Sequence, residues 1–135
     1  MPRVFRVMRK EADGLPMVSP TSLGVRPDID VDLESQGNVQ VNGKGMTVAP
    51  NWRDINVNRI PKRLRSIFPG AGGSNNTFCF RTGDGAFVQG VFANGLTLEP
   101  DSATHGNIAP DQVVPLATYE ADLAATRQDW QEDET

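Results

Sequence analysis

Short apolar stretches alternate with polar, glycine- and proline-rich segments along most of the chain, and this pattern predicts short strands. Residues 3–9 have an arginine at every third position with two apolar residues between, and they are predicted to form a strand with Val4, Arg6 and Met8 on one face. If that face is the core, Arg6 needs an acidic or anionic partner. The alternative is that Phe5 and Val7 face the core and Arg6 is solvated. Further strands are predicted at residues 37–41, 46–48, 77–81, 87–92, 96–98 and 107–109.

One segment near the C-terminus has clear helical spacing. Leu116, Tyr119, Leu123 and Trp130 predict an amphipathic helix over residues 116–131, with its apolar stripe facing the core. A short basic helix is predicted at residues 61–68, with Pro61 at its first position. Residues 132–135 are expected to fray.

Composition favours a loop-rich protein of one domain, residues 1–135. The 135 residues include 13 glycines and 10 prolines, and 38% are hydrophobic, which favours short strands over a helical bundle. No apolar run approaches the length of a membrane span, and the first residues lack the apolar core of a secretory signal. We therefore expect a cytoplasmic protein.

The net charge is −4, and the charges are unevenly distributed. Basic residues concentrate between 53 and 65, and acidic residues between 120 and 134. The acidic total argues against general nucleic-acid binding. The basic segment is compatible with a solvated face, a nucleotide, an acidic partner or the chain's own acidic tail.

Neither the cysteine nor the acidic residues form a recognisable reactive or metal-binding motif. Cys79 is the only cysteine and lies between two phenylalanines, which predicts a buried strand position rather than a catalytic thiol. With His105 as the only histidine, the usual zinc patterns are excluded. Asp30, Asp32 and Glu34 lack EF-hand spacing, so solvated carboxylates are favoured and no metal is expected.

Residues 42–50 combine a glycine-bracketed lysine with a short strand. Gly43 and Gly45 flank Lys44, and Thr47 lies where the turn leads into the strand. On spacing alone, a β-turn that precedes an edge strand is favoured. The alternative is an anion site built from unpaired amides beside the lysine. The spacing of a P-loop is absent.

Four short segments, in the same order, carry a resemblance to a known family. They are Phe5-Arg6-Val7 with Asp13-Gly14, then GVRPDI at 24–29, GKGMTV at 43–48 and ATHGNIAP at 103–110. In these segments the chain resembles the exported-effector-two family of type VI secretion toxins, which are ADP-ribosyltransferase-like. The resemblance spans nearly the whole chain and includes the place of the C-terminal helix.

The resemblance implies an α+β protein with a compact ADP-ribosyltransferase-like fold. That fold has two packed antiparallel sheets, a few short helices and a C-terminal helix. The resemblance also implies an NAD-dependent toxin that acts inside a target cell on an unknown acceptor. A cognate immunity protein would restrain it in the producing cell.

Carried over residue by residue, the resemblance places Arg6, Thr47 and His105 at the catalytic site. It assigns NAD binding to Arg6, Arg26, Gly43, Gly45 and Thr47. Arg6 would contact phosphate, because a guanidinium offers two parallel donors. Thr47 and the glycine amides would bind the ribose or the nicotinamide amide, and His105 a ribose hydroxyl. Val48 stands where the family has a second hydroxyl, so a role shared by two hydroxyls does not carry over.

Cleavage of the nicotinamide–ribose bond passes through an oxocarbenium-like transition state. Many ADP-ribosyltransferases use a glutamate to orient the ribose and activate the acceptor. Glu99 and Glu120 are the candidates here, and neither lies in a matching motif. Two alternatives remain open: NAD hydrolysis or RNA-phosphate transfer on the same fold, and a non-catalytic binding module whose residues 53–65 meet an acidic partner.

Overall fold

The computed structural model describes residues 1–134, and within them the chain forms nine short strands and one α-helix. The helix, α1, spans Leu116–Ala124, and 3-10 helices lie at Trp52–Asp54, Lys62–Leu64 and Arg127–Asp129. The strands are β1 Val4–Arg9, β2 Asn38–Val39, β3 Met46–Val48, β4 Thr77–Thr82, β5 Gly90–Ala93, β6 Leu96–Pro100, β7 Gly106–Pro110, β8 Val114–Pro115 and β9 Gln131–Glu132.

Two antiparallel sheets and a two-stranded ribbon make up the architecture. The first sheet has the order β1-β4-β9, the second β3-β7-β6-β5, and β2 pairs with β8. Phe5 of β1 and Ala49 join the two larger sheets, because each donates its amide to the other's carbonyl, at 2.7 and 3.0 Å. The prediction of a strand-rich protein in antiparallel sheets, with a helix near the C-terminus, is confirmed.

Both faces of β1 are buried, and this fact decides the environment of Arg6. Val4 and Met8 pack into the larger core cluster, whereas Phe5 packs into a smaller one with Trp52 and Ile60. A strand covered on both faces leaves no solvated side for its middle residue. Arg6 is accordingly buried, and the alternative of a solvated Arg6 is wrong.

The C-terminal helix is shorter than predicted. It ends at Ala124, and the chain then passes through the 3-10 helix Arg127–Asp129 into β9. Trp130 is buried, as its spacing predicted, but it lies in extended backbone, where its indole nitrogen donates to the Thr126 hydroxyl at 3.0 Å. Pairing of β9 with the edge of β4 prevails over the helical periodicity.

The acidic tail is ordered in residues 132–134, so the prediction of fraying is wrong there, and Thr135 lies outside the described residues. Glu132 pairs with Phe80 in the β4–β9 register. Salt bridges tie each acidic residue to a basic one: Lys10–Glu132 at 2.9 Å, Arg81–Asp133 at 2.8 Å and Arg63–Glu134 at 2.7 Å. Part of the basic segment therefore neutralises the chain's own tail.

Two other predicted elements shift. The basic helix at 61–68 contracts to the 3-10 helix Lys62–Leu64, with Pro61 just before it and turns after it. The backbone of Pro61 forms a β-bridge with Gly73, so the helical geometry begins only at Lys62. The strand predicted at 87–92 begins only at Gly90.

Candidate functional site

Arg6, in the middle of β1, is only 7% exposed and is held entirely by neutral oxygen atoms. Its Nε donates to the main-chain oxygen of Ser22 at 2.8 Å. Its Nη1 donates to the main-chain oxygen of Thr47 at 2.8 Å and to the Thr47 hydroxyl at 2.9 Å. Within residues 1–134 no carboxylate forms an ion pair with Arg6, and its Nη2 atom makes no hydrogen bond.

The charge of Arg6 is therefore only partly compensated. The pKa of Arg6 is lowered to about 10, mainly by burial and also by the positive charge of Arg59, while the carboxylate of Asp30 acts in the opposite direction. At neutral pH the guanidinium stays protonated. A buried cation with an unused donor and no carboxylate in contact is suited to bind an anion.

Two clefts have Arg6 in their lining. The first, of about 280 Å³, is lined by Arg6, Thr47 and His105 together with Asp54 and Arg59. It thus brings together β1, β3, residues 54–59 and the loop that joins β6 to β7. Three residues identified from separate sequence motifs meet in this one cavity.

The second cleft, of about 270 Å³, shares Arg6, Thr47 and Arg59 with the first and adds Arg26 and Asp30. The rest of its polar wall consists of amide and hydroxyl side chains: Thr21, Asn58, Ser74 and Thr77. This cleft is electropositive, because it is lined by three arginines and a single carboxylate, and its other polar groups are neutral.

Arg26 is fixed by Asp30 four residues later. The Arg26 Nε and Nη2 atoms donate to the two carboxylate oxygens at 3.1 and 3.0 Å, and the Arg26 amide donates to Oδ2 at 2.7 Å. Partial burial of Asp30 acts to raise its pKa, but the contacts with Arg26 outweigh it, so the pKa lies below 3.8. The Arg26 side chain lines the cleft and stays 41% exposed, so it remains accessible to a ligand although it is paired with Asp30.

His105 is held by Asp101 in the loop between β6 and β7. Its Nδ1 lies 2.8 Å from both carboxylate oxygens of Asp101. The main chain closes the same loop, because the amides of Asp101 and Ser102 donate to the His105 carbonyl at 3.0 and 3.2 Å. The imidazole is half exposed and lines the first cleft.

Thr47 connects these elements. It lies in β3 opposite Asn107 of β7, so the strand that carries Thr47 pairs with the strand that follows His105. Because the Thr47 hydroxyl accepts a hydrogen bond from Arg6, its own proton remains available for a ligand.

The two glycines of the 42–50 segment lie outside both clefts. Gly43 has φ of +85° in a tight turn, and its carbonyl accepts from the Asn107 side chain at 3.0 Å. At Gly45 a Cβ atom would overlap the main-chain carbonyl of Ile108. These glycines therefore permit a turn and a close strand contact, and the structure does not bring their amides to the site.

Lys44 also has a structural partner in this turn, since its Nζ lies 3.0 Å from Oδ2 of Asp32. The glycine-bracketed lysine matches the β-turn interpretation of this segment.

Several cleft residues carry no motif in the sequence. Asp54 ends the 3-10 helix Trp52–Asp54 and Arg59 lies in the turns that follow, where no spacing distinguishes them from other charged residues of the segment. Glu99 and Glu120, the two glutamate candidates, line neither cleft. Among the described residues, the carboxylates that line the two clefts are Asp54 and Asp30.

No three metal-ligating side chains converge in the part of the chain that the structure describes. In that same part, no helix combines the length and apolarity needed to span a bilayer. No family model matches the chain, and neither a curated protein nor a solved structure shows significant similarity to it. A functional assignment therefore depends on the four motifs and on the geometry of the Arg6 clefts.

Proposed function

We propose that this protein is an NAD-using enzyme of ADP-ribosyltransferase type that acts as an intracellular toxin. The observation that carries the proposal is that Arg6, Thr47 and His105, from three distant segments, line one cleft, in which the buried Arg6 guanidinium is in contact with no carboxylate of the described residues. NAD is the substrate in this proposal.

The residues of the two clefts fit a dinucleotide. Ligand pockets usually measure roughly 300–1,000 Å³, so neither cleft alone is large for such a ligand, but the two adjoin at Arg6. The pyrophosphate carries two negative charges, and Arg6 supplies a desolvated cation with an unused donor. Arg59 lines both clefts and Arg26 the second, so further positive charge lies along the same path.

Bound NAD would supply the bond between ribose and the positively charged nicotinamide, which is a good leaving group. In the first cleft, the Thr47 hydroxyl is free to donate to the ribose or to the nicotinamide amide. His105 offers its second ring nitrogen, since Nδ1 is occupied by Asp101. Arg6 would fix the phosphates relative to both groups.

An ADP-ribosyltransferase-like fold is part of the same proposal. Two antiparallel sheets meet where Phe5 bonds to Ala49, and the first cleft lies at that junction. The resemblance to secreted toxins extends the proposal to a cognate immunity protein and to an acceptor in the target cytoplasm.

The experiment combines toxicity with nicotinamide release. Wild type, Arg6→Lys, His105→Ala and the control Glu120→Gln are expressed in bacteria, and the purified proteins are incubated with NAD. We expect growth arrest and nicotinamide release from wild type and the control, and loss of both from the two cleft variants. If both cleft variants remain as toxic as wild type, the site assignment fails.

NAD hydrolysis is the second candidate, because the half-exposed His105 leaves the first cleft accessible to water. Mass spectrometry of NAD incubated with the protein and a cell lysate separates the two reactions. Free ADP-ribose without any modified acceptor favours hydrolysis, whereas a mass increase on an acceptor favours transfer.

A further inference from the structure

We infer that His105 is the general base that takes the proton of a hydroxyl acceptor, and that Asp101 holds it in the required tautomer. This inference rests on the proposed NAD chemistry and adds the class of acceptor. His105 would touch the substrate, whereas Asp101 acts through His105 and is a positioning residue.

The tautomer follows from the contact with Asp101. An ionised carboxylate can only accept hydrogen bonds, and Nδ1 lies 2.8 Å from both of its oxygens. Nδ1 therefore carries the proton, and in the neutral ring Nε2 carries the free electron pair. The same contact fixes the ring orientation, as a carboxylate does for a histidine base in other enzymes.

The pair is held in a tight loop. Asp101 and Ser102 both donate their amides to the His105 carbonyl, and the Thr104 amide donates to the Ser102 hydroxyl at 3.2 Å. The loop continues into β7, which pairs with the strand of Thr47. The position of the imidazole relative to Thr47 is thus set by backbone hydrogen bonds.

The charged groups that share the first cleft with His105 come from two other elements. Arg6 belongs to β1, and Asp54 and Arg59 belong to the segment after Trp52. Asp101 is the charged group in direct contact with the ring. Asp54 is the other group in this cleft that is able to take up a proton, but among the described residues no hydrogen bond or salt bridge orients its carboxylate, whereas Asp101 orients His105.

The proposed step balances with a hydroxyl acceptor. The acceptor oxygen forms a bond to the ribose anomeric carbon as the bond to nicotinamide breaks, and that electron pair neutralises the nicotinamide nitrogen. The hydroxyl proton passes to Nε2 and then to water. A carboxylate or phosphate acceptor is already ionised at neutral pH and needs no base. The Asp101–His105 pair therefore indicates that the acceptor is water or an alcohol.

Two variants separate a base from a group that merely binds ribose. His105→Gln can still hydrogen-bond to a ribose hydroxyl but cannot take up a proton. Asp101→Asn keeps the shape of the loop but no longer imposes the Nδ1–H tautomer. The matched control is Asp111→Asn, an exposed aspartate just beyond β7 that lines neither cleft.

We expect kcat to fall at least about 100-fold in both variants, because general-base catalysis contributes about 10²- to 10⁴-fold. The Kd for NAD measured by calorimetry should stay within about threefold of wild type, since phosphate contacts dominate binding. The pH profile of wild-type kcat should have an acidic limb that His105→Gln lacks. Nitrogen NMR of the imidazole should show one tautomer in wild type and Asp111→Asn, and a mixture in Asp101→Asn.

The products identify the acceptor. Incubation of wild type with NAD alone gives ADP-ribose if water is the acceptor. Addition of a lysate gives a linkage that is stable to hydroxylamine if the acceptor is an alcohol, whereas a carboxylate ester would be cleaved.

The inference is overturned if wild type cleaves NAD and His105→Gln retains its rate and its acidic limb, or if the acceptor is a carboxylate. Those results leave the proposed function standing. If wild type neither binds nor cleaves NAD, the proposed function fails, and the base assignment fails with it.

Discussion

The Nη1 atom of Arg6 donates to both the main-chain oxygen and the hydroxyl of Thr47, at 2.8 and 2.9 Å. This double contact crosses the junction of the two sheets. It positions a buried cation with neutral oxygens rather than with a carboxylate, so the positive charge remains available to a ligand. The functional proposals depend on this arrangement.

Thr47→Val should lower both stability and NAD turnover, because it removes an acceptor from Arg6 and a donor from the cleft. Loss of one hydrogen bond to a charged group costs about 1.5–3 kcal/mol in the free energy of unfolding. Thr47→Ser keeps the hydroxyl and is the matched control. Urea unfolding and nicotinamide release measure the two effects, and equal behaviour of the valine and serine variants would contradict the role of the hydroxyl.

The glycines before Thr47 should prove structural. Gly45→Ala forces a Cβ against the Ile108 carbonyl, and overpacking of this kind costs about 1–3 kcal/mol. Gly43→Ala meets no neighbour but strains a backbone with φ of +85°, which costs about 1–2 kcal/mol. Calorimetry on the folded fraction should give unchanged NAD affinity in both. If Gly43→Ala remains folded but binds NAD more weakly, residues 42–50 take part in NAD binding after all.

Cys79 should be inert. Burial raises the pKa of its thiol to about 12, and the carboxylate of Glu134 contributes in the same direction. The thiolate is therefore almost absent at neutral pH, and we expect alkylation to require unfolding. Cys79→Ala should release nicotinamide at the wild-type rate. Rapid modification of the native protein, accompanied by loss of activity, would instead indicate a functional thiol.

Asp30 should contribute stability that is lost in acid. The pKa of Asp30 in the folded state lies below its ordinary value of 3.8. Its contribution to stability is therefore complete above pH 3.8 and disappears as the pH falls through the folded-state pKa. In Asp30→Asn, the free energy of unfolding should therefore decrease less steeply than in wild type as the pH falls below about 4. Asp111→Asn, outside the clefts, serves as control, and an unchanged acid profile in Asp30→Asn would show that the Arg26 contact is not stabilising.

The sequence predicts the strands whose residue types and alternation agree with their final environment, such as β1 and β4. It places Arg6 beside Val4 and Met8, but it cannot show that both faces of β1 are covered. That fact depends on which distant segments supply Trp52 and Ile60. Helical periodicity likewise identifies Trp130 as a core residue without showing that it follows a 3-10 helix.

The site was only partly predictable for a related reason. Short motifs indicated Arg6, Thr47 and His105, and the structure brings them to one cleft. Asp54 ends a single turn of 3-10 helix and Arg59 lies in the turns after it, and segments this short show no periodicity from which the direction of a side chain could be predicted. The Asp101–His105 contact depends on the closure of a hairpin loop, which sequence spacing alone does not specify.

The most direct test of the central claim is calorimetric titration of NAD into wild type and Arg6→Lys, with far-ultraviolet circular dichroism to establish that both are folded. Lysine keeps a positive charge but loses the guanidinium fork, and a hydrogen bond to a charged group contributes about 1.5–3 kcal/mol. We predict that wild type binds NAD and that Arg6→Lys binds it at least about tenfold more weakly. Equal affinity of the two folded proteins, or no binding by wild type, would contradict the account.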